Sequence, residues 1–349
     1  SKRMKALIYY GPKELKMEEV PMPVPGKKDV LVKIARAGIC GSDLTAYLYD
    51  GMGVGILKKG QFGHDGQFGH EMVGTVYQLG EEVKGIAVGD RVFINPTVCK
   101  RNGMLGCDIA GAFSEYTIVE DAKYGYNLYK LADDCSFDEA VVIEPLGVGT
   151  HGKNRIDVRP SDKVMIYGAG TIGLCALNAC LAVGCQNVVV SDMNEKRLEM
   201  VKEMGGVPYS PAVNGDLKKF LIELHEPVYD TFGQEKTAID AFIDCAGAAT
   251  ILPEIISIAK AKSRVAIVAV YKRPTELNAA GLLSNEMTVR GCCGYETEDI
   301  IEAFNNVNKH RTEIARIVTH HFKHEDAVKA FEFAADPTAG GIKVVIDYE

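Results

Sequence analysis

A strand, a glycine-rich turn and a helix follow one another directly near the middle of this 349-residue chain. Residues 163–173 read KVMIYGAGTIG, in which an apolar run of strand length ends in glycines, and ALNACLAVG (176–184) has helical length. Further strand-like segments are NVVVSD (187–192), AIDAFIDCAG (238–247), SRVAIVAVY (263–271) and MTVRGCCGY (287–295). Buried strands that alternate with helices form a parallel sheet covered on both faces. The sequence therefore predicts an α/β fold with a doubly wound parallel sheet.

The glycine turn also predicts a dinucleotide-binding site of the Rossmann type. In the pattern G-x-G-x-x-G, Gly168 makes the tight turn, Gly170 lets the backbone approach a pyrophosphate, and Gly173 packs the helix on the strand. The helix begins at Thr171 and Ile172, and its N-terminus faces the anion. Glycines recur by chance, so the specificity comes from the strand before the turn and the helix after it. A glycine turn without a ligand is the alternative.

Asp192 and Arg197 bear on which dinucleotide this site prefers. Asp192 ends the next strand, 24 positions after Gly168, where a carboxylate can hold both ribose hydroxyls. Neither position 193 nor position 194 carries an Arg or Lys that would accept a 2′-phosphate, which favours NAD over NADP. Arg197 lies one helical turn further on and is a candidate ligand for a 2′-phosphate. Its presence is the observation that favours NADP.

The regions on either side of this sheet predict a second domain. DVLVKIARAGIC (29–40), EMVGTVYQLG (71–80) and DRVFIN (90–95) are short strands between Gly and Asp turns, typical of a compact, partly barrel-like β unit. TEDIIEAFNN and HEDAVKAFEFAAD have helical periodicity, and the final segment GGIKVVIDYE ends as a strand. We expect one domain from residues 1–153 with 294–349, and a nucleotide-binding domain from residues 154–293.

The composition of the chain indicates which kinds of partner it binds and in which compartment it works. The net charge of −8 and the lack of a basic face argue against nucleic acid or an acidic membrane surface, and no apolar stretch is long enough to span a bilayer. The start SKRMKALIYY does not resemble a cleavable signal peptide. The ten cysteines form no evenly spaced framework, which predicts reduced thiols in the cytoplasm. We expect the adjacent Cys292 and Cys293 to be core residues at a strand end.

A set of possible metal ligands stands upstream of the glycine turn. Catalytic zinc takes about three protein ligands from Cys, His and carboxylate and leaves one position open. Cys40, in GICGSD (38–43), and His70, in QFGHDGQFGHEMVG (61–74), offer two of these, and Glu71 and Glu144 could supply the rest. Asp43 is of a type that can hold the second nitrogen of His70 and fix its tautomer.

Together, the motifs resemble those of a known superfamily. GICGSD, GHEMVGTV, VGDRV, GAFSEY, IEPLGVGTHG, GAGTIG and VVVSD occur in the order found in the zinc-dependent medium-chain dehydrogenases, and the chain is most similar to the polyol and 2,3-butanediol dehydrogenases among them. The resemblance implies a GroES-like, mostly-β catalytic domain beside the Rossmann domain. It also implies that Cys40, His70 and Glu71 bind the catalytic zinc, while Glu144 approaches the metal or its water.

The resemblance distinguishes between the two copies of QFGH. Only the second copy, which ends at His70, is followed by a glutamate and then a buried strand. His64 and Asp65 belong to the long segment between Cys40 and His70, which resembles an extended loop of the butanediol branch. We expect His64 to lie at the rim of the site, with a direct substrate contact as the alternative.

The chemistry explains why such an enzyme needs a metal. Hydride leaves an alcohol carbon readily only when the hydroxyl is alkoxide-like, and zinc lowers the pKa of water from about 15.7 to about 7. That difference corresponds to about 12 kcal/mol, which a lone histidine cannot supply. The predicted catalytic residues are Ser42, which takes the hydroxyl proton, with Cys40, His70 and Glu144. The nicotinamide of NAD accepts the hydride.

The chain departs from the family pattern in two places. Thr45 stands where relatives often carry a histidine at the outer end of a proton relay, so the proton leaves either through water and ribose hydroxyls or through another group such as His64. Of the four cysteines that bind a structural zinc in many relatives, only Cys99 and Cys107 remain. Two thiols do not close a tetrahedral site, so we expect one catalytic zinc and no structural zinc.

These features predict a zinc-dependent NAD(H) oxidoreductase that interconverts a secondary hydroxyl of a small polyol, diol or sugar alcohol with the ketone. A threonine-type 3-hydroxy acid dehydrogenase is the nearest alternative. A metal-free quinone or enone reductase is disfavoured by Cys40 and His70, and a nucleotide-binding protein without turnover is the non-enzymatic alternative. The predicted partners are a small alcohol or ketone and a second copy of the chain, with a homodimer or homotetramer formed through the strand MTVRGCCGY.

Overall fold

The computed structural model describes residues 2–49, 66–99, 102–103, 106–107 and 111–348, with the backbone alone for the two short pairs. Within these ranges, no helix is both long enough and apolar enough to cross a bilayer.

Strands dominate the first part of the chain, and strands and helices alternate after it. Up to residue 140 the elements are β1 (Arg3–Gly11), β2 (Glu14–Pro21), β3 (Val30–Gly38), α1 (Gly41–Leu48), β4 (Glu71–Leu79), β5 (Arg91–Ile94), β6 (Asn102–Gly103), β7 (Gly106–Cys107), β8 (Tyr116–Val119), β9 (Leu128–Lys130) and α2 (Phe137–Ala140). From residue 143 they are α3 (Ile143–Arg155), β10 (Val164–Tyr167), α4 (Thr171–Val183), β11 (Val189–Ser191), α5 (Glu195–Glu203), β12 (Val207–Tyr209), α6 (Pro211–Asn214), α7 (Leu217–His225), β13 (Pro227–Tyr229), β14 (Glu235–Thr237), β15 (Ala241–Asp244), α8 (Ile251–Ile258), β16 (Arg264–Ile267), α9 (Ala279–Ser284), β17 (Thr288–Gly291), α10 (Thr297–Asn308), β18 (Val318–Lys323), α11 (Ala327–Ala335) and β19 (Lys343–Asp347). Short 3₁₀ turns cover Pro96–Val98, Ile314–Ile317 and His324–Asp326.

The chain forms two compact units. The first contains Ser1–Glu144, Val307–His310 and Ala315–Glu349, and the second contains Pro145–Asn306 and Arg311–Ile314. The predicted domain boundaries, after residues 153 and 293, stay a prediction.

The first unit is built on a seven-stranded sheet in the order β18-β19-β3-β4-β5-β9, with β8 also paired to β3. All of its pairs are antiparallel except β18 with β19. β3 is buried along most of its length because strands pair with it on both sides and the core covers its side chains. The mostly-β character predicted for this region is confirmed.

An aromatic cluster fixes the start of β4 and the position of α1. The rings of Phe68 and Phe113 lie 4.9 Å apart, and Phe331 of α11 lies 5.7 Å from the first and 5.4 Å from the second. Tyr9 of β1 packs on Phe68, and its hydroxyl donates a hydrogen bond of 2.7 Å to the carbonyl of Ala46 in α1. These large buried side chains hold the ends of β3 and β4 in place, close to the predicted metal ligands.

The second unit contains a six-stranded parallel sheet in the order β12-β11-β10-β15-β16-β17. The central strands β10 and β15 are wholly buried, as expected for strands covered by helices on both faces. From β10, the chain first adds β11 and β12 on one side and then β15, β16 and β17 on the other, so the strand order reverses between β10 and β15. The glycine turn follows β10, next to this reversal. The predicted doubly wound α/β fold is confirmed.

Two details of this unit differ from the expectations. The hairpin β13–β14 was not predicted, because its strands have three residues each and no apolar alternation. β17 ends at Gly291, so the strand is shorter than the segment MTVRGCCGY. The expectation that Cys292 and Cys293 are core residues is wrong, since Cys292 is partly exposed and Cys293 is exposed.

Candidate metal and nucleotide sites

Strand pairing brings together residues that are 30 positions apart in the sequence. In the antiparallel pair β3–β4, Gly38 lies opposite Glu71, the first residue of β4. His70 directly precedes β4, and Cys40 follows β3 as the N-cap of α1. Because the end of β3 and the start of β4 are neighbours in the sheet, the two motifs meet at one edge.

The side chains of these residues converge on one another. Donor atoms of Cys40, His70 and Glu71 all lie within 4.8 Å of one another, and His70 and Glu71 are buried. Glu144, in the first turn of α3, is also buried, and its Oε2 lies 3.9 Å from Nε2 of His70. The four residues predicted to bind a metal therefore meet around the His70 ring.

Asp43 lies where the sequence predicted it, beside His70. Its Oδ1 is 3.8 Å from Nδ1 of His70, and its Oδ2 accepts a 2.9 Å hydrogen bond from the backbone N–H of Cys40. The carboxylate is completely buried. Asp43 is thus hydrogen-bonded to the backbone of the cysteine and lies next to Nδ1 of the histidine without a direct hydrogen bond, and Nε2 is the ring nitrogen that faces Glu144.

Burial and mutual charge perturb the protonation of the site. Burial, with the charge of Glu71 added to it, raises the pKa of the Cys40 thiol to about 12. Burial raises the pKa of Asp43 to about 6. Burial lowers the pKa of His70, but the carboxylates of Glu144, Asp43 and Glu71 outweigh it and leave the pKa raised.

These properties fit a zinc ion. Thiolate, imidazole and carboxylate are the ligand types of catalytic zinc. A buried thiol with so high a pKa becomes a thiolate at neutral pH only beside a strong positive charge. In the part of the chain that the structure describes, three buried polar atoms around the ligands have no hydrogen-bond partner: Nδ1 of His70, Oδ1 of Asp43 and Oγ of Ser42. Such atoms are common where a ligand or an ion completes a site.

The two residues of the expected proton route lie in α1. The hydroxyl of Ser42 is buried, whereas Thr45 is exposed and its hydroxyl donates a 3.0 Å hydrogen bond to the carbonyl of Gly41. The expectations for His64 and Asp65 fall on residues outside the described ranges.

Lys343 is a residue of this site that no sequence pattern indicated. This lysine begins β19 and is 2% exposed, and its Nζ lies 2.8 Å and 3.1 Å from the two carboxylate oxygens of Glu71. The two residues are 272 positions apart, so no local pattern could reveal the contact. The only available signal was a lysine that directly precedes the apolar run VVI near the end of the chain.

The glycine turn joins β10 to α4. Gly168 follows β10 with a φ of +95°, a conformation that favours glycine. A Cβ on Gly173 would overlap the carbonyl oxygen of Gly168, so the third glycine is required by the close approach of α4 to the turn. Gly170 is the N-cap of α4, and a Cβ there would meet only Nη1 of Arg197, at 3.9 Å. The turn thus leaves open space at the helix N-terminus, where Thr171 begins α4 with Ile172 after it.

Asp192 and Arg197 both lie next to this turn. Oδ2 of Asp192 accepts a 2.8 Å hydrogen bond from the backbone N–H of Ala169, and Oδ1 accepts hydrogen bonds from Met193 and Asn194. Nη1 of Arg197 lies 3.9 Å from Oδ2 of Asp192, and its side chain is partly exposed. The carboxylate therefore connects the end of β11 to the glycine turn.

Cys99 and Cys107, the two cysteines that the sequence relates to a structural zinc site, are a separate case. The thiol of Cys99 is buried and donates to the carbonyl of Asn95 at 3.4 Å, while the side chain of Cys107 is outside the described part of the chain. The expected absence of a structural zinc stays a prediction.

A second group of possible ligands lies at the surface of the first unit. Donor atoms of Asp138, His321 and Asp347 are within 4.8 Å of one another, and the first two side chains are exposed. Nε of Arg36 lies 3.0 Å from Asp138 and 3.0 Å from Asp347, so a cation is already present between the carboxylates. This group is a surface ion-pair network.

Comparison with known proteins shows that the chain is similar to dehydrogenases over nearly its full length. Residues 26–131 match the family model for the alcohol dehydrogenase GroES-like domain, and residues 171–309 match the one for zinc-binding dehydrogenases. The chain is 30% identical to sorbitol dehydrogenase of Bos taurus over 358 residues, which cover 98% of the chain and 95% of that protein. It is 27% identical to L-threonine 3-dehydrogenase of Shewanella woodyi, over 99% of the chain and 100% of that protein. The crystal structure of 2R,3R-butanediol dehydrogenase from Bacillus subtilis shares the fold, with a TM-score of 0.82 and 23% identity, over 99% of the chain and 100% of that structure.

The donor set and the nucleotide turn define a zinc-binding oxidoreductase that acts on CH–OH groups and uses NAD. The chain belongs to the zinc-dependent medium-chain alcohol/polyol dehydrogenase superfamily. The resemblance found in the sequence motifs and the predicted enzyme class are both confirmed.

Proposed function

We propose that the chain interconverts a secondary hydroxyl of a small polyol, diol or sugar alcohol with the ketone, using NAD(H) and one zinc per chain. The observation that carries this proposal is the convergence of Cys40, His70 and Glu71 donor atoms within 4.8 Å, with Glu144 at 3.9 Å from the histidine. The similarity to a sorbitol dehydrogenase over nearly the full length supports the substrate class.

The metal would be held by Cys40 and His70 together with carboxylate from Glu71 or Glu144. A bound zinc supplies positive charge that acidifies a hydroxyl group, on the scale of the fall in the pKa of water from about 15.7 to about 7. We propose that Asp43 orients the histidine once the metal is bound, because its Oδ1 lies on the Nδ1 side of the ring at 3.8 Å and Nε2 is left for the metal.

Ser42 is the residue that we propose takes the hydroxyl proton from the substrate. Its Oγ is buried and has no partner among the described residues, so it is available for a hydrogen bond to a bound ligand. Thr45 lies one helical turn further along α1 and is exposed, so it offers a hydroxyl on the way to solvent. We propose that the proton leaves through this hydroxyl and water.

The cofactor site is proposed to consist of the turn Gly168–Gly173, with its helix start at Thr171 and Ile172, and of Asp192. The carboxylate of Asp192 would hold the adenosine ribose hydroxyls, and a 2′-phosphate would meet its negative charge. Arg197 lies 3.9 Å from Asp192, and we propose that it stays paired with this carboxylate rather than serving as a phosphate ligand.

A substrate panel tests the proposal. Zinc-replete protein is assayed for NADH formation with sorbitol, xylitol, 2,3-butanediol and L-threonine, with NADP as the alternative cofactor. We expect turnover of at least one diol or polyol with NAD, and loss of both zinc and turnover in Cys40→Ser. Cys99→Ser is the matched control, since Cys99 is a buried thiol of the same unit that is hydrogen-bonded to Asn95. Retention of zinc and near-normal turnover in Cys40→Ser would contradict the mechanism.

The threonine-type alternative is addressed by the same panel. Similarity to the threonine dehydrogenases keeps it open. An amino acid substrate needs a cation for its carboxylate, and the described cation at this site, Lys343, is already paired with Glu71. Preferential turnover of L-threonine over every polyol would favour the alternative.

We further propose that the enzyme works in the cytoplasm as a homodimer or homotetramer. The nine cysteines whose side chains the structure describes form no disulfide with one another, which suits a reducing compartment. β17 is the last strand in the described order of the nucleotide sheet, and an edge strand of this kind can pair with that of a second chain. Fractionation of the source cells and light scattering of the purified protein would test the two statements.

A further inference from the structure

Asp244 and Tyr271 form a hydrogen bond in the second unit that the proposed mechanism does not use. Asp244, the last residue of β15, is 0% exposed, and its Oδ2 accepts a hydrogen bond from the hydroxyl of Tyr271, which is partly buried. Its Oδ1 accepts hydrogen bonds of 3.0 Å and 2.9 Å from the backbone N–H groups of Ala246 and Gly247. Burial, together with the carboxylate of Asp244, raises the pKa of Tyr271, so its hydroxyl stays protonated and donates.

This hydrogen bond joins two loops at the carboxyl edge of the parallel sheet. The β15 loop consists of residues 245–250, and the β16 loop consists of residues 268–278. The backbone N–H groups of Val268 and Ala269 both donate to the carbonyl of Asp244, each at 3.0 Å. The end of β15 is therefore tied to the β16 loop through the main chain and, at the side chain of Asp244, through a charge-assisted hydrogen bond.

The β15 loop is packed between the glycine turn and the β16 loop. A Cβ on Gly168 would lie 3.1 Å from the carbonyl oxygen of Cys245, so the turn supports the β15 loop on one side. Gly247 has a φ of +75°, and a Cβ there would lie 3.2 Å from Cβ of Ala269 and 3.2 Å from the carbonyl oxygen of Val270. The β16 loop therefore lies directly against the β15 loop on the side away from the turn.

The position of the two loops relates them to one half of a dinucleotide. In a doubly wound sheet the ligand lies across the carboxyl ends of the strands where the strand order reverses, here between β10 and β15. Asp192, the proposed partner of the adenosine ribose, follows β11 on one side of β10. β15 and β16 lie on the other side of β10. The β15 and β16 loops are therefore on the side toward which the nicotinamide half extends.

We propose that Tyr271 is a positioning residue for the nicotinamide half of NAD. Through Asp244, its hydroxyl keeps the β16 loop closed on the β15 loop, so that this side of the cofactor site is ordered before the cofactor binds. Ordering the loops in advance lowers the entropic cost of binding. The inference rests on the proposed cofactor site and adds to it a residue outside the glycine motif that acts through another side chain.

The experiment compares the binding of NADH and of ADP-ribose, which lacks the nicotinamide ring, to zinc-loaded protein. NADH is titrated by its own fluorescence, and ADP-ribose is measured by its displacement of NADH. We expect Tyr271→Phe to weaken NADH binding about tenfold, the order expected for the loss of a hydrogen bond to a charged group, and to weaken ADP-ribose binding less than about threefold. Unchanged NADH affinity, or equal losses for the two ligands, would overturn the proposal.

Tyr124→Phe is the matched control. The hydroxyl of Tyr124 donates to the carboxylate of Asp90 in the first unit, so this variant also loses a partly buried hydrogen bond between a phenol and a carboxylate. We expect Tyr124→Phe to lower the thermal stability and to change NADH affinity less than about twofold, because the two sites are independent. If Tyr271→Phe likewise affects only stability, its hydrogen bond is purely structural and the proposal is refuted.

A double-mutant cycle tests whether the effect passes through Asp244. In Asp244→Asn the amide oxygen can still accept from Ala246 and Gly247, but a neutral amide binds the tyrosine hydroxyl less strongly than a carboxylate does. Adding Tyr271→Phe to this variant should therefore cost less than about threefold in NADH affinity, instead of about tenfold. The full tenfold cost in both backgrounds would contradict the proposal.

Steady-state kinetics and the wild-type protein separate this inference from the proposed function. With a substrate found in the panel, Tyr271→Phe should raise KM for NAD about tenfold and lower kcat less than about threefold. A fall in kcat at unchanged KM would overturn the positioning role. If the wild-type protein binds no NADH, the proposed cofactor site is wrong, whereas NADH binding without alcohol turnover would refute the proposed activity and leave the binding test of Tyr271 valid.

Discussion

Gly38 shows how one missing side chain can set the geometry of a metal site. It occupies the last position of β3, between the carboxylate of Glu71 and the strand that carries Lys343. Its φ is not positive, so the requirement for glycine comes from space and not from backbone conformation. A methyl group there would push against the carboxylate that pairs with the lysine.

Gly38→Ala should therefore lower the free energy of unfolding by about 1–3 kcal/mol, the usual cost of overpacking a dense interior. Chemical denaturation of the metal-free protein measures this directly. Gly41→Ala is the matched control, because a Cβ at Gly41 meets nothing within 4 Å. Equal stability of the two variants would mean that Glu71 moves aside without cost.

At the same scale, Gly173 and Gly170 of the nucleotide turn should respond differently to substitution. A Cβ on Gly173 would overlap the carbonyl of Gly168, whereas one on Gly170 meets only the end of Arg197. We expect Gly173→Ala to lower the free energy of unfolding by about 1–3 kcal/mol, and Gly170→Ala to stay within about 0.5 kcal/mol of wild type. Gly170→Ala should nevertheless weaken NAD binding about tenfold, since it fills the space for the pyrophosphate. Thermal unfolding and NADH fluorescence titration separate the two effects.

Single residues also show what the sequence could and could not predict. Cys40, His70 and Glu71 were identifiable because their residue types, spacing and following strand match a chemical requirement. Lys343 was not, because its role depends on strand order in the sheet and on the absence of a side chain at Gly38. The exposure of Cys293 was missed for a related reason: the apolar composition of the segment did not reveal that β17 ends at Gly291.

At the scale of elements, the strands that were predicted best are those buried on both sides. β10 and β15 are continuous apolar runs with glycine or aspartate at their ends, so their periodicity and boundaries were both readable. The hairpin β13–β14 and the strand β18 carry mixed exposure and depend on tertiary partners. Their formation is decided by packing against the rest of the unit, which sequence periodicity does not record.

The turn between β18 and α11 predicts a pH effect on stability. His324 is buried there, its Nε2 donates to the carbonyl of Phe113 at 2.8 Å, and its ring stacks on Tyr348 at 4.3 Å. Burial lowers the pKa of His324, so the unfolded chain binds a proton that the folded chain resists. Its contribution to stability is present above the unfolded pKa of about 6.5 and is lost as the pH falls below that value.

We expect His324→Gln to reduce the loss of stability between pH 7 and pH 5, measured as the midpoint of urea unfolding. Glutamine can still donate to the Phe113 carbonyl but takes up no proton in this range. His320→Gln is the control, because the His320 ring lies on β18 and is only half-buried. If both variants keep the wild-type pH profile, His324 does not contribute to it.

At the scale of the whole molecule, the feature that concerns assembly is the edge of the six-stranded parallel sheet that β17 forms. The backbone N–H groups of Thr288 and Cys292 donate to β16, at Ser263 and Ile267. Because hydrogen-bonding direction alternates along a strand, the N–H group of Gly291 points away from β16. In the described part of the sheet no further strand follows β17, so this donor faces the edge where we propose that a second chain pairs.

Gly291→Pro should then convert the assembled protein to smaller species, because proline removes the donor and its ring obstructs strand pairing. Gly291→Ala adds a Cβ where nothing lies within 4 Å and keeps the N–H group, so it should assemble like wild type. Light scattering after size-exclusion chromatography gives the mass of each.

If Gly291→Pro folds and retains the wild-type mass, the chains associate through another surface. If both variants lose assembly, side-chain packing at this edge matters more than backbone pairing, and the strand-to-strand interface is wrong. The proline–alanine comparison therefore tests backbone pairing separately from the mere bulk of a substitution at the edge.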